Sequence, residues 1–165
     1  MDLRIRVTKE LLKNSLIELI EIKEYNKITI KEICERANVN RTTFYKYYND
    51  VDSLLLEIED DIFKIIKNEL KDNHDINRIL DVLLINNKYT KVLLVSSPDE
   101  SFKYKLLDII DFAIPKINNY NDEYRDFFYN GIYSLIVNWL NQKYKIGLEE
   151  MGKIITNLFN SLYNN

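Results

Sequence analysis

Chain-breaking residues are scarce: 165 residues hold 3 Gly and 2 Pro. A β-sandwich or barrel needs frequent Gly and Pro turns, and long helices need few. Leu, Ile, Lys, Glu and Tyr abound instead, so an all-α chain is expected. Its length suits one domain, or one small domain with a helical extension. It is enough to bury a core without disulfides or metals.

The same inventory narrows the chemistry. A lone Cys34 leaves no intramolecular disulfide and no Cys-cluster zinc site, and a lone His74 leaves no His pair. No metal or cofactor is therefore expected. There is no phosphate-cradling Gly loop and no Ser/His/Asp set, so no enzyme and no catalytic residue is expected. No basic-then-apolar leader opens the chain, and no run approaches ~18 apolar residues. A soluble cytoplasmic protein without a membrane partner is the expectation.

The formal charge of −3 counts against nucleic acid as a partner, but only as an average. Residues 1–49 hold ten Lys and Arg against seven Asp and Glu, a net of +3. The rest holds thirteen bases against nineteen acids, a net of −6. Such a split suggests a division of labour between 1–49 and 50–165.

Helical spacing runs along the whole chain. Leu12, Leu16, Leu19 and Ile20 predict a first helix over about 3–24. Thr29 and Glu32 form a capping box. Ile30, Ile33, Cys34 and Ala37 follow at i, i+3, i+4, i+7 as a short second helix. Asn38 suits the left-handed end of that helix, and Asn40 suits the cap of a third over 41–47. Asn49 or Asp50 restarts a long helix striped by Leu55, Ile58, Ile62, Ile65 and Leu70. Asp72-Asn73-His74-Asp75 breaks it, which makes His74 a solvated loop residue. A further helix carries Ile76, Ile79, Leu80, Leu83 and Leu84 to a break near Asn86-Asn87. Residues 88–96 read better as buried helix than as strand. Ser97-Pro98-Asp99-Glu100 reads as a second capping box, its helix running to about Ala113 before Pro115. Two narrow seams end the chain: Phe128, Ile132, Leu135 and Trp139, then Leu148, Met151, Ile155, Leu158 and Leu162. Gly147 between them reads as a C-cap. These seams either close the chain's own core or hold a second copy, and a homodimer is the favoured expectation.

Residues 29–49 meet the demands of a DNA-binding helix–turn–helix. Cys34 and Ala37 are small enough for a close helix crossing, Val39 can plug the turn, and Phe44 and Tyr48 can anchor the second helix inward. Arg41, Thr42, Thr43, Tyr45, Lys46 and Tyr47 then offer hydrogen-bonding groups outward within seven residues. Arg suits guanine edges or phosphate, Thr carries a hydroxyl and a methyl group, and Tyr and Lys reach phosphate.

These residues also carry a family resemblance. The stretch from Thr29 to Asn49, followed by Leu54-Leu55, resembles the N-terminal motif of tetracycline-repressor (TetR) family regulators. Its most distinctive parts are the block Thr43-Phe44-Tyr45 and the trailing Leu pair. The close match covers roughly residues 8–56. Beyond it, length, helix number and the final helix pair agree in outline. Three positions depart from the family's usual pattern. Asn38-Val39-Asn40 stands where Gly-Val-Ser is usual, Tyr47-Tyr48 where His-Phe is common, and Val51 where a phosphate-touching Lys is frequent.

The resemblance implies a three-helix DNA-binding domain over 1–49 and a helical regulatory and dimerisation domain over 50–165, about nine helices in all. It implies that Thr29, Thr43, Tyr45 and Tyr47 hold the backbone of double-stranded DNA, while Arg41, Thr42 and Lys46 read bases. It further implies a dimer on a near-palindromic operator, repression as the commonest outcome, and release by a small-molecule effector. Tyr89, Tyr104, Phe112, Tyr133, Asn138 and Trp139 are the aromatic and polar candidates for an effector pocket. The plainer reading of these aromatics is core or dimer interface, and of Cys34 a packed small residue. Two alternatives stand beside a repressor: a ligand-dependent activator of the same fold, and a helical protein–protein adaptor. The adaptor leaves the Thr-Phe-Tyr block unexplained.

Overall fold

The computed structural model describes residues 3–71, 75–95, 100–113 and 122–163. Among them stand nine α-helices and one 3-10 turn, with no strand. The N-terminal part comprises α1 (Leu3–Ile20), the 3-10 turn Tyr25–Lys27, α2 (Ile30–Ala37) and α3 (Arg41–Phe44). The remainder comprises α4 (Val51–Glu69), α5 (Ile76–Ile85), α6 (Asn87–Val95), α7 (Ser101–Ala113), α8 (Asp122–Leu140) and α9 (Leu148–Tyr163).

α1 ends at Ile20, four residues before the expected limit, because its apolar stripe ends there. The next apolar residue, Ile22, is 71% exposed and gives a further turn nothing to bury. α2 opens on the expected capping box, with Thr29 accepting from the Glu32 amide. It closes on Asn38 at φ 53°, where the Val39 amide reaches the Cys34 carbonyl and the Asn38 amide the Glu35 carbonyl. That is a Schellman ending, with Val39 as its apolar follower. Asn40 takes the next N-cap position, but its side chain makes no capping bond.

α3 is shorter than the expected 41–47. After Phe44 the amides of Lys46 and Tyr47 reach back only three residues, so the segment winds on as a tighter turn to Tyr48. Asp50 then starts α4 through a second capping box, with Ser53 as its partner. Residues 88–95 are helical within α6, as the neighbouring pattern suggested. Ser97, Pro98, Asp99, His74 and Pro115 lie outside the described residues.

One buried core runs through the helices. α1 packs against α2, α4 and α6 at once, with Leu12, Leu16 and Ile17 fully buried. Each such side chain is worth about 1.5–3 kcal/mol of burial. α9 packs on α5 and meets α8 through Phe128 and Phe159, whose ring centroids lie 4.3 Å apart. Gly147 is not the C-cap of α8. That helix ends at Leu140, and Gln142 at φ 57° takes the left-handed position, with the Lys143 amide reaching the Asn138 carbonyl. Gly147 instead begins α9, its carbonyl accepting from the Met151 amide.

Candidate nucleic-acid interface

Three layers of local chemistry hold α3 in place. Phe44 is fully buried beneath it and meets the Tyr48 ring at 5.5 Å and the Tyr45 ring at 5.7 Å. Cys34 and Ala37 of α2, both buried, leave room for the crossing. Tyr25 donates to Asp52 at 2.5 Å, which ties the turn after α1 to the first turn of α4. Sequence reasoning did not find this pin, because its members lie 27 residues apart and no periodic signal links them.

The outward residues divide by their freedom. Arg41, Thr42, Tyr45 and Lys46 are exposed, while Thr43 and Tyr47 are half-buried. Among the described residues no carboxylate lies within 4 Å of Arg41 or Lys46, whereas most other bases of the N-terminal part are spoken for. Lys9 holds Glu57, Lys13 holds Glu57 and Asp61, Lys23 holds Glu32, and Arg36 holds Glu18. The charge that remains uncommitted therefore concentrates on α3 and the turn after it. A concave surface beside it brings Lys31 and Asn40 next to Arg41. Lys31 was not singled out from the sequence, and Asn40 only as the cap of the third helix, since they belong to different helical patterns.

Thr29 is occupied. Its hydroxyl donates to the Glu32 carboxylate at 2.7 Å and accepts from the Glu32 amide at 3.3 Å. The Lys23 ammonium, then the Thr29 hydroxyl and amide, hold the Glu32 carboxyl down at about 2. Tyr47 leans its ring under the Lys9 ammonium, 5.8 Å from the centroid.

Of the six residues expected around an effector pocket, the five whose side chains are described do not line one shared cavity. Tyr89 lines a cavity against α1 and α4 that Tyr104, Tyr133, Asn138 and Trp139 do not border. Tyr104 is 58% exposed and donates to Glu100 at 2.8 Å. Tyr133 is half-buried, donates to the Leu94 carbonyl, and shares Lys103 with Tyr104. Asn138 turns back to the Ser134 carbonyl at 2.8 Å. Trp139 is buried, its indole donating to the Ile146 carbonyl at 3.0 Å. Phe112 lies in α7, and its side chain is outside the described set.

The two C-terminal seams are likewise divided. Phe128, Ile132, Trp139, Met151 and Ile155 are buried within this one chain. Leu135 and Leu148 are half-buried, and Leu158 is 40% exposed. The side chain of Leu162 lies outside the described set. Besides Leu158, α8 and α9 leave uncovered Phe127, outside both seams and 82% exposed. A helical stripe marks what a helix buries without saying against what, and here much of it is the chain's own core.

Comparison with known proteins agrees with this architecture along the whole chain. Residues 15–58 match the family described as bacterial regulatory proteins, tetR family. Residues 73–161 match a transcriptional regulator C-terminal region. A TetR transcriptional regulator from Streptococcus agalactiae 2603V superposes with a TM-score of 0.69 at 25% identity, covering 94% of each chain. DhaS, the dihydroxyacetone kinase operon activator, superposes at 0.55 with 18% identity, covering 95% of this chain and 94% of its own. A TetR regulator from Rhodococcus sp. RHA1 superposes at 0.53 with 16% identity, covering 97% of each. No curated protein sequence matches significantly.

Proposed function

The chain belongs to the TetR family of DNA-binding transcriptional regulators, and from that premise we propose that it acts as a homodimeric repressor released from its operator by a small molecule. The observation that carries this reading is the pair of cations, Arg41 and Lys46, without a carboxylate partner among the described residues, on an exposed face that Phe44 anchors from below. Arg41, Thr42 and Lys46 read bases. Thr43, Tyr45 and Tyr47 hold phosphates, and Thr29 caps the start of α2.

A single module of this size buries too little surface for tight specific binding. Two copies, with recognition helices about one turn of DNA apart, match a near-palindromic site. The uncovered faces of α8 and α9 join the copies. The boundary between reading head and regulatory body falls at residues 49 and 50, and α4 is the lever across it. An effector that changes the spacing of the heads by a coupling of about 1–3 kcal/mol shifts operator affinity roughly 5–150-fold. The protein works where its DNA is, in the cytoplasm.

Selecting bound fragments from a random DNA pool tests the reading. The expected product is one enriched site with two-fold symmetry, bound with a steep salt dependence. A dimeric sample that binds no DNA at low salt overturns it in favour of an adaptor. Placing the enriched site before a reporter promoter gives the sign of regulation. DhaS, of the same fold, is described as an activator, so a rise in expression would replace repression while leaving the rest intact.

A further inference from the structure

Where α1, α4 and the α5–α6 junction meet, they leave a cavity of about 360 Å³ instead of closing on one another. The volume lies within the usual range of small-molecule sites, about 300–1,000 Å³. Ile58 and Ile62 of α4 give it buried apolar wall, and Ile65, 40% exposed, is left without apolar cover beside it. Tyr89 adds a half-buried ring.

The polar groups around this cavity are unbalanced in a way that selects a ligand. Two acids and two bases line it, and both bases turn to Asp61. Lys13, only 5% exposed, gives its ammonium to Asp61 at 2.5 Å and Glu57 at 3.0 Å. Lys64, 70% exposed, approaches the other Asp61 oxygen at 3.6 Å, beyond hydrogen-bond reach. The Tyr89 hydroxyl donates to Asn14 at 3.0 Å, and the Asn86 amide to the Val82 carbonyl at 2.8 Å. Acceptors remain to spare. Among the described residues Glu10 has one ion-pair approach, Lys13 at 3.6 Å, and its second carboxylate oxygen has no donor. The local field has the same sign: besides burial, the Glu10 and Asp61 charges push the Tyr89 phenol up, against the opposing Lys13.

We propose that this cavity binds a small organic cation, an ammonium group on an apolar body. The ammonium takes Glu10 and Asp61, and the body lies on Ile62, Ile65 and the Tyr89 ring. A bound cation competes with Lys13 for Asp61. Lys13 shares Glu57 with Lys9, and Lys9 lies 5.3 Å from the Tyr48 ring and 5.8 Å from the Tyr47 ring, at the end of the DNA-reading segment. Occupancy thereby loosens α1 from α4 directly behind the reading head. This consequence rests on the operator-binding role proposed above; the binding itself does not.

Calorimetry on the full-length protein at pH 7 with 3-phenylpropylamine tests the site, with 3-phenylpropan-1-ol and 3-phenylpropanoate as neutral and anionic matches. The amine is expected to bind at about millimolar affinity or tighter, and at least about tenfold more tightly than either match. Glu10→Gln, at a half-exposed position, removes that preference, and Ile65→Trp fills the cavity and abolishes amine binding with helicity retained. No amine binding, equal binding of amine and alcohol, or a Glu10→Gln variant that still prefers the amine overturns the proposal. With the selected DNA site, saturating amine is expected to weaken operator binding about fivefold or more. An unchanged operator affinity overturns the coupling. A protein that binds the amine but no DNA counts against the regulator reading and leaves the cation site standing.

Discussion

Gly152 of α9 meets Asn77 of α5 so closely that a β-carbon at position 152 would lie 1.9 Å from the Asn77 side-chain oxygen. Asn77 has little room to yield. Its amide nitrogen is tied to Asp75 at 3.0 Å, and its oxygen is buried without a donor among the described residues. The contact fixes how near the last helix approaches the body of the molecule.

Gly152→Ala therefore sets two effects against each other. Helix propensity favours Ala by up to about 1 kcal/mol. The clash costs about 1–3 kcal/mol and wins, so urea denaturation should show a net loss of stability. Adding Asn77→Ala removes the obstacle, and the double variant should regain most of the loss. Independent, additive costs would show that the contact is not the cause.

Arg41→Ala should weaken the selected DNA site by about 1–3 kcal/mol at one base pair and relax preference there. Tyr45→Phe should weaken all fragments alike, because it removes the hydroxyl that the proposed reading assigns to phosphate. Competition binding against single-base variants of the site separates the two. An Arg41→Ala variant that loses affinity uniformly reverses its assignment from base to phosphate.

α9 makes opposite predictions at two neighbouring positions. Leu158→Glu, on an uncovered face, should give folded monomers by sedimentation, with melting near that of the parent monomer. Ile155→Glu, at a fully buried position, should unfold the chain, since an unpaired charge has no place in an apolar core. A Leu158→Glu protein that stays dimeric moves the proposed interface off that face.

Glu32 makes the stability of α2 sensitive to acid. Its carboxyl is held near 2 when folded, against an ordinary value of 4.5. A depressed carboxyl contributes stability above its unfolded pKa and loses it as pH falls through the folded one. The difference in melting temperature between parent and Glu32→Gln should be full above about pH 5 and shrink toward pH 2. A difference independent of pH would mean that Gln keeps the cap and the charge adds nothing.

Much of this protein is written in local sequence. Thr29 and Glu32 cap α2, Asn38 ends it, and 3.6-residue spacing marks the other helices, because each depends on groups a few residues apart. The reading head was legible for the same reason: Thr43, Phe44 and Tyr45 are consecutive, and a helix decides which faces in and which out. Helix ends were less legible. α3 tightens after Phe44 where plain periodicity carries on to residue 47.

Tertiary structure alone decided what the apolar stripes meet. Ile132, Met151 and Ile155 satisfy a helix–helix seam equally well against a second copy or against the chain's own core, and packing chose the core. It also decided which charges are free. Lys13 and Arg41 are both bases in one short segment, yet Lys13 is buried against Asp61, 48 residues away, while Arg41 faces outward with no carboxylate partner among the described residues. Net charge counts both alike. A Coulomb partner depends on distance in space, and spacing along a chain fixes that distance only within a few turns of a helix.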